Sequence, residues 1–278
     1  MQRAGYPARR VASPAVAARD DDLALALELA DVADSITRAR FQAADLVVET
    51  KPDLTPVSEA DMAVERTLRE RLAGVRAGDA IVGEEYGSSE TPESGRRWIV
   101  DPIDGTKNYV RGIPVWATLL ALQERDEITV GVVSAPALGR RWWAVRGAGA
   151  FMRDGLADEP RRIGVSAVRA LEDAQLCISG FDGWDSPGSL DRLLSLARRC
   201  WRTRGFGDFW IYMLVAEGVA EIGCEPVVSL WDLAAPQVIV EEAGGTFTDL
   251  AGVATAAGGD ALATNGLLHR EALALIGR

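Results

Sequence analysis

The chain has 278 residues, with 41 acidic and 30 basic side chains, a formal net charge of −11 and 48% hydrophobic residues. That length and composition suit one large or two ordinary globular domains with a substantial core. The acidity argues against nucleic acid or an anionic membrane as primary partner, and no apolar run approaches the ~20 residues needed to span a bilayer.

Residues 1–20 are rich in Ala, Arg and Pro without helical periodicity or an apolar signal region, and read as a disordered tail. Residues 21–40 repeat apolar positions at helical spacing behind an Asp cluster, which predicts a helix. A strand follows at 46–50, then a Pro-punctuated loop. There Ser58 and Asp61 form a capping-box pattern that opens a helix to about residue 73. Short strands at 81–82 and 98–100 end at Glu84 and Asp101, and three more at 115–123, 129–134 and 141–145 have hairpin spacing. This half, 21–155, is expected to be a mainly antiparallel sheet backed by helices.

The charged, Gly- and Pro-containing segment 154–162 is the boundary expected. In the half 156–278, strands at 174–179, 200–204, 219–223, 245–248 and 262–264 alternate with helices at 189–199, 208–217, 232–243 and 267–276. That alternation predicts an α/β half with helices on both faces. Cys177, Cys200 and Cys224 have no pairing pattern and read as buried thiols of a reducing, cytoplasmic protein. The single histidine, His269, reads as a solvated or capping residue on an exposed last helix. Its isolation excludes a His-based triad or the usual zinc site.

Four carboxylates stand out by position. Glu84 ends an apolar strand, Asp101 and Asp104 flank Pro102-Ile103 at the end of another, and Asp232 opens an apolar helix. Loops over strand ends are where sites are built. Asp101 and Asp104 can face one hard cation, with the Ile103 carbonyl as a further oxygen ligand, a donor set that suits Mg²⁺. The cation would also reverse the local sign for an anionic substrate. Gly105 lets backbone N–H groups approach an anion, and the Thr106 hydroxyl can orient a water. Taken singly, each is an ordinary turn or cap; a lone Asp232 reads as a helix cap.

Three blocks, GEEYG at 83–87, WIVDPIDGTKNYVRGIPVWATLLAL at 98–122 and WDLAAPQVIVEEAGG at 231–245, resemble the inositol monophosphatase-like superfamily, over about residues 21–278. Segments 111–118, 140–143 and 263–266 are most similar to its histidinol-phosphatase branch.

The resemblance implies an α-β-α-β-α layered sandwich, with an antiparallel first sheet and a mixed or parallel second one. It also implies a homodimer and two or three Mg²⁺ ions per site. Glu84, Asp101, the Ile103 carbonyl, Asp104 and Asp232 match its metal ligands. Gly105 and Thr106 match the phosphate-binding turn, and Asp61 matches the acid that works with Thr106 to activate water, with Glu84 counted among the catalytic groups. Asp104, Asp208, Glu225 and Asp232 fall where members contact the organic part of the substrate.

The implied reaction is hydrolysis of a small phosphate monoester by metal-activated water. Histidinol phosphate is the substrate expected, because its ammonium and imidazole favour a pocket of carboxylates. Inositol phosphate, fructose bisphosphate and phosphoadenosine phosphate are the rival substrates. A catalytically silent metal- or phosphate-binding module is the distant alternative.

Overall fold

The computed structural model describes residues 14–52, 54–89, 95–155 and 159–278. Helix α1 (Pro14–Arg40) is followed by a hairpin of β1 (Val48–Thr50) and β2 (Pro56–Ser58), and by α2 (Glu59–Val75). A large sheet is then built from β3 (Ala80–Gly83), β4 (Gly87–Ser88), β5 (Arg96–Asp104), β6 (Ala117–Glu124), β7 (Glu127–Ala135), β8 (Arg140–Val145), β9 (Gly149–Asp154) and β10 (Arg161–Arg162), with the short helix α3 (Thr106–Val110) between β5 and β6. Its strand order is β10-β9-β8-β7-β6-β5-β3-β4.

The second half supplies β11 (Gln175–Ile178), α4 (Ser189–Arg199), β12 (Arg202–Gly205), α5 (Asp208–Ala216), β13 (Ile222–Glu225), α6 (Leu230–Glu242), β14 (Thr246–Thr248), β15 (Ala261–Thr264) and α7 (His269–Ile276). Its five strands run in the order β12-β11-β13-β15-β14, with parallel and antiparallel pairs mixed.

Strand alternation explains the layers. On β5, Trp98 and Val100 point to one face, where Leu29 and Ala33 of α1 and Val64 and Leu68 of α2 cover them. Ile99 points to the opposite face, into a core shared with Phe209 and Met213 of α5, Leu233 and Val238 of α6, and Ala261 and Ala263 of the second sheet. The far face of that sheet, with Leu176, Ile222 and Leu262, is closed by α4 and α7. The result is the α-β-α-β-α sandwich expected.

The structure departs from the sequence reading in several places: β13 begins only at Ile222, where a strand was expected at 219–223, and β2 lies within the expected loop. Helix α1 starts at Pro14, so residues 14–20 of the expected tail are helical; residues 1–13 lie outside the described residues. Proline at a helix start loses nothing, and the Ala-rich stretch behind it has high helix propensity. The first sheet continues through β9 and β10, beyond the last strand expected at 141–145. His269 is buried, with its two ring nitrogens 3.1 Å from the hydroxyls of Thr248 and Thr264. Cys177 and Cys224 are buried free thiols, and Cys200 is half-buried.

Candidate active site

Topology gathers the carboxylates. β3 and β5 are parallel, with Gly83 opposite Val100, so Glu84 and Asp101 leave the sheet side by side. On β5, Asp101 pairs with Leu119 but Asp104 with Ala117, so a bulge lies between them. Pro102, which has no N–H to give the ladder, sits in that bulge. The bulge turns Asp101 and Asp104 toward α6, which carries Asp232. One carboxylate oxygen from each of Asp101, Asp104 and Asp232 forms a group within 4.8 Å of one another.

This cluster fits a hard cation. Asp101 Oδ1 is buried without a hydrogen-bond partner among the described residues. Burial, then the neighbouring Glu84, Asp104 and Asp232, pushes Asp101 well above the usual carboxylate range. Burial and then Asp208 do the same to Asp104, although its Oδ2 accepts the Phe209 N–H at 2.6 Å. Asp232 rises to about 6, again chiefly through burial. Such a set of desolvated like charges is costly alone and is relieved by a divalent ion. Glu84 adjoins the cluster. Its Oε1 is 2.8 Å from Lys51 Nζ, which also reaches Glu85 at 2.8 Å.

Two of the acids have double duties. Asp61 and Asp232 each sit at the third position of a helix in a capping box, with Ser58 and Ser229 respectively. Asp61 Oδ2 accepts the Ser58 N–H at 2.8 Å, which leaves Oδ1 toward Thr106 Oγ1 at 3.2 Å. Asp232 Oδ2 accepts the Ser229 N–H at 2.7 Å. The cap reading and the site reading of Asp232 therefore hold together. Burial raises Asp61 to about 6, against its bonds from Ser58.

Thr106 Oγ1 also lies 2.9 Å from the Ile103 carbonyl oxygen. Gly105 precedes it with φ +83°, a conformation that favours glycine. A Cβ there would stand 3.0 Å from the Val115 carbonyl and 3.3 Å from Asp208 Oδ2. The turn rests on a packed trio, Phe41, Tyr109 and Trp116, with centroids 4.9 to 5.4 Å apart. Each such aromatic pair adds about 0.5–1.5 kcal/mol beyond burial.

Asp208 opens α5 just beyond the end of β12, and Glu225 ends β13; both strands run parallel to β11, where Ile178 pairs with Gly205 and with Cys224, so the two acids meet at one sheet end. Asp208 has φ +51°, accepts from Asn108 Nδ2 at 2.8 Å and is raised to about 6, chiefly by burial. Glu225 accepts the hydroxyls of Ser179 and, at 2.5 Å, Tyr212. Asp104, Asp208, Glu225 and Asp232 share a cavity of about 140 Å³ with Phe209, Tyr212, Val227 and Val228. Larger cavities exist, such as the groove of about 1140 Å³ beside Glu84 and Lys51, but the chemistry converges on the small one.

All ten sequence-predicted residues fall at this one end of the two sheets. The sequence reading did not single out Lys51, Glu65, Glu85, Asn108, Ser179 or Tyr212. Of these, Glu85 and Asn108 lie inside the motif blocks GEEYG and DPIDGTKN, and Tyr212 stands one helical turn from Asp208 on α5.

The model of the inositol monophosphatase family matches residues 19–276. The chain belongs to the inositol monophosphatase family. It is 58% identical over 254 residues to a histidinol-phosphatase of Mycobacterium tuberculosis, an alignment covering 91% of this chain and 96% of that one. It is 55% identical over 257 residues to a histidinol-phosphatase of Streptomyces coelicolor, with the same coverage. Among solved structures, an IMPase of Thermotoga maritima superposes with a TM-score of 0.81 at 29% identity, covering 92% of this chain and 96% of that one. Among the described residues, no helix is long and apolar enough to cross a membrane.

Proposed function

We propose that this chain is a Mg²⁺-dependent phosphatase that hydrolyses histidinol phosphate to histidinol and phosphate. The observation that carries the reading is the cavity beside the Asp101–Asp104–Asp232 cluster, where Asp208 and Glu225 add two further carboxylates. Among the described residues its lining is Asp104, Asp208, Phe209, Tyr212, Glu225, Val227, Val228 and Asp232, with no cation, although the charge of Lys107 reaches Asp208. An ammonium and an imidazole gain charge-assisted bonds there, each worth about 1.5–3 kcal/mol. The 58% identity to a histidinol-phosphatase supports the same substrate.

Asp101, Asp104 and Asp232 would hold one ion, with Glu84 and the Ile103 carbonyl completing the oxygen set. Bound Mg²⁺ supplies charge neutralisation of the phosphoryl group and a more acidic attacking water. The protein's part is positional, as phosphoryl transfer demands. Gly105 brings backbone to the phosphate. Thr106 Oγ1 accepts a proton from the attacking water as it passes its own to Asp61 Oδ1, 3.2 Å away. Asp61, raised to about 6, is ionised near neutrality yet basic enough to take that proton. Asp208 and Glu225 receive the cationic end of the substrate. We also assign the chain to the cytoplasm and to a homodimer; sedimentation velocity tests the dimer.

The deciding experiment is phosphate release with Mg²⁺ across histidinol phosphate, inositol 1-phosphate and fructose 1,6-bisphosphate. The highest kcat/KM is expected on histidinol phosphate. Faster turnover of either rival sinks the substrate assignment and leaves the family membership standing.

A further inference from the structure

Glu225 ends β13 with only 8% of its surface exposed, and both of its oxygens already hold a hydroxyl. Ser179 Oγ donates to Oε1, and Tyr212 OH donates to Oε2 at 2.5 Å. Ser179 Oγ in turn accepts the Asp208 N–H at 3.1 Å. Tyr212 lies on the buried face of α5, its ring 5.7 Å from that of Phe247, and its hydroxyl edges the cavity that holds Asp208 and Glu225. Asp208, which opens the same helix, and Glu225 are thus tied into one assembly by two hydroxyl groups.

A hydroxyl both donates and accepts, but each has a single proton. With the protons of Ser179 and Tyr212 directed at Glu225, neither can be offered to a ligand. Burial raises Glu225 to about 7, and the bonds from Ser179 and Tyr212 act against that rise; in the ionised form they favour, the carboxylate keeps one lone pair per oxygen for the cavity and has no proton to give. This wall therefore presents acceptors only. An ammonium, with three donors and no acceptor, is matched by such a wall. A substrate hydroxyl can donate to it but leaves its own lone pairs against carboxylate oxygens.

We propose that Tyr212 is a specificity-determining positioning residue, whose hydroxyl holds Glu225 as a pure acceptor and so selects amine-bearing phosphate esters over hydroxylated ones. The proposal rests on the substrate reading above. Without the Tyr212 hydroxyl, Oε2 has an unfilled lone pair inside the protein, and the carboxyl group is free to turn or to take up a proton and become a donor. The selectivity for an ammonium then falls, while attack at phosphorus, centred on Asp61 and Thr106, is untouched.

Tyr212→Phe keeps the ring and removes the one atom concerned. With saturating Mg²⁺, the ratio of kcat/KM for histidinol phosphate to that for glycerol 2-phosphate should fall about tenfold, through KM for the amine ester. The Ki of histidinol as a competitive inhibitor should rise by a similar factor, and kcat on glycerol 2-phosphate should stay within about twofold. If Tyr212→Phe does not fold, Ser179→Ala removes the other donor and is read in the same way.

A wild type that shows no preference for histidinol phosphate overturns the substrate reading and this proposal together. A wild type with the preference and a variant with the same ratio overturns this proposal alone. Equal losses on both esters mark a purely structural tyrosine and also overturn it.

Discussion

A Cβ on Gly83 would stand 2.0 Å from Oε1 of Glu65. Glu65 is fully buried on α2, one turn after Asp61, and accepts the N–H groups of Glu85 at 2.7 Å and Tyr86 at 3.1 Å. The Arg69 guanidinium, one turn further on, holds the same carboxylate at 2.7 Å. The turn that presents Glu84 is therefore tied from behind by the helix that presents Asp61. Gly83→Ala must displace either the turn or the carboxylate. Glu65→Gln replaces one acceptor oxygen by a donor and should cost about 1–3 kcal/mol. Both variants should weaken Mg²⁺ binding, measured by calorimetry, by about tenfold or more. Unchanged affinity in Gly83→Ala would show that the turn does not control Glu84.

Stability without metal should depend on pH in an unusual direction for carboxylates. Burial raises Asp61, Asp208 and Asp232 to about 6, and also pushes Asp101 and Asp104 well above the usual carboxylate range. Between about pH 4, where unfolded carboxyls titrate, and about pH 6, the folded chain binds more protons than the unfolded one. Stability in chelator should then fall as pH rises through this window and stay low near neutrality. Mg²⁺ should restore it most at pH 7.5 and least at pH 5, where protons compete with the ion. Melting curves with EDTA or Mg²⁺ at those pH values test this. A Tm in EDTA that climbs from pH 5 to pH 7.5 contradicts it.

Thr106 and Asp61 act together on the attacking water in the proposed mechanism, and Thr106 binds no part of the leaving alcohol. Thr106→Ala should lower kcat by about 10²-fold or more, with a much smaller change in KM. One solvent ¹⁸O should enter each phosphate released in a single turnover. A trapped phosphoenzyme would refute direct attack by water.

Lys51 is a cation already seated among acids. Burial works to lower its pKa, but the hydrogen bonds it donates to Glu84 and Glu85 outweigh that and hold it charged. Burial pushes Glu85 up to about 7 despite the same contact. An ion that takes Glu84 as a ligand competes with this ammonium. Lys51→Met should lower the Tm in chelator, because two acids lose their counter-charge, and should tighten Mg²⁺ binding several-fold. Weaker Mg²⁺ binding in the variant would show that Lys51 assists the ion rather than opposing it.

Apart from Glu84, Asp208, Glu225 and Asp232, whose site roles came through the family resemblance, the residues legible in the sequence were those whose meaning is local. Asp101, Pro102, Asp104 and Gly105 lie within one strand end, and Ser58 with Asp61 within one helical turn, so spacing alone carries their geometry. Helix α4 was readable to the residue, Ser189–Arg199, because its apolar positions recur at helical spacing between clear end signals. What escaped notice depends on contacts between distant segments. Lys51 meets Glu84 across 33 positions, Glu65 meets Glu85 across 20, and Ser179 meets Glu225 across 46. His269 was misread for the same reason: nothing near it in sequence announces that Thr248 will lie 3.1 Å away.

The capping role of Asp61 and Asp232 bears on how this scaffold ages. A descendant chain that no longer turned over substrate would still need both carboxylates to start α2 and α6, so drift would spare them long after activity had gone. Thr106 starts no helix through its side chain, and the Glu84 carboxylate, unlike those of Asp61 and Asp232, caps no helix and pairs with Lys51. Those two positions are where inactivity would be written first.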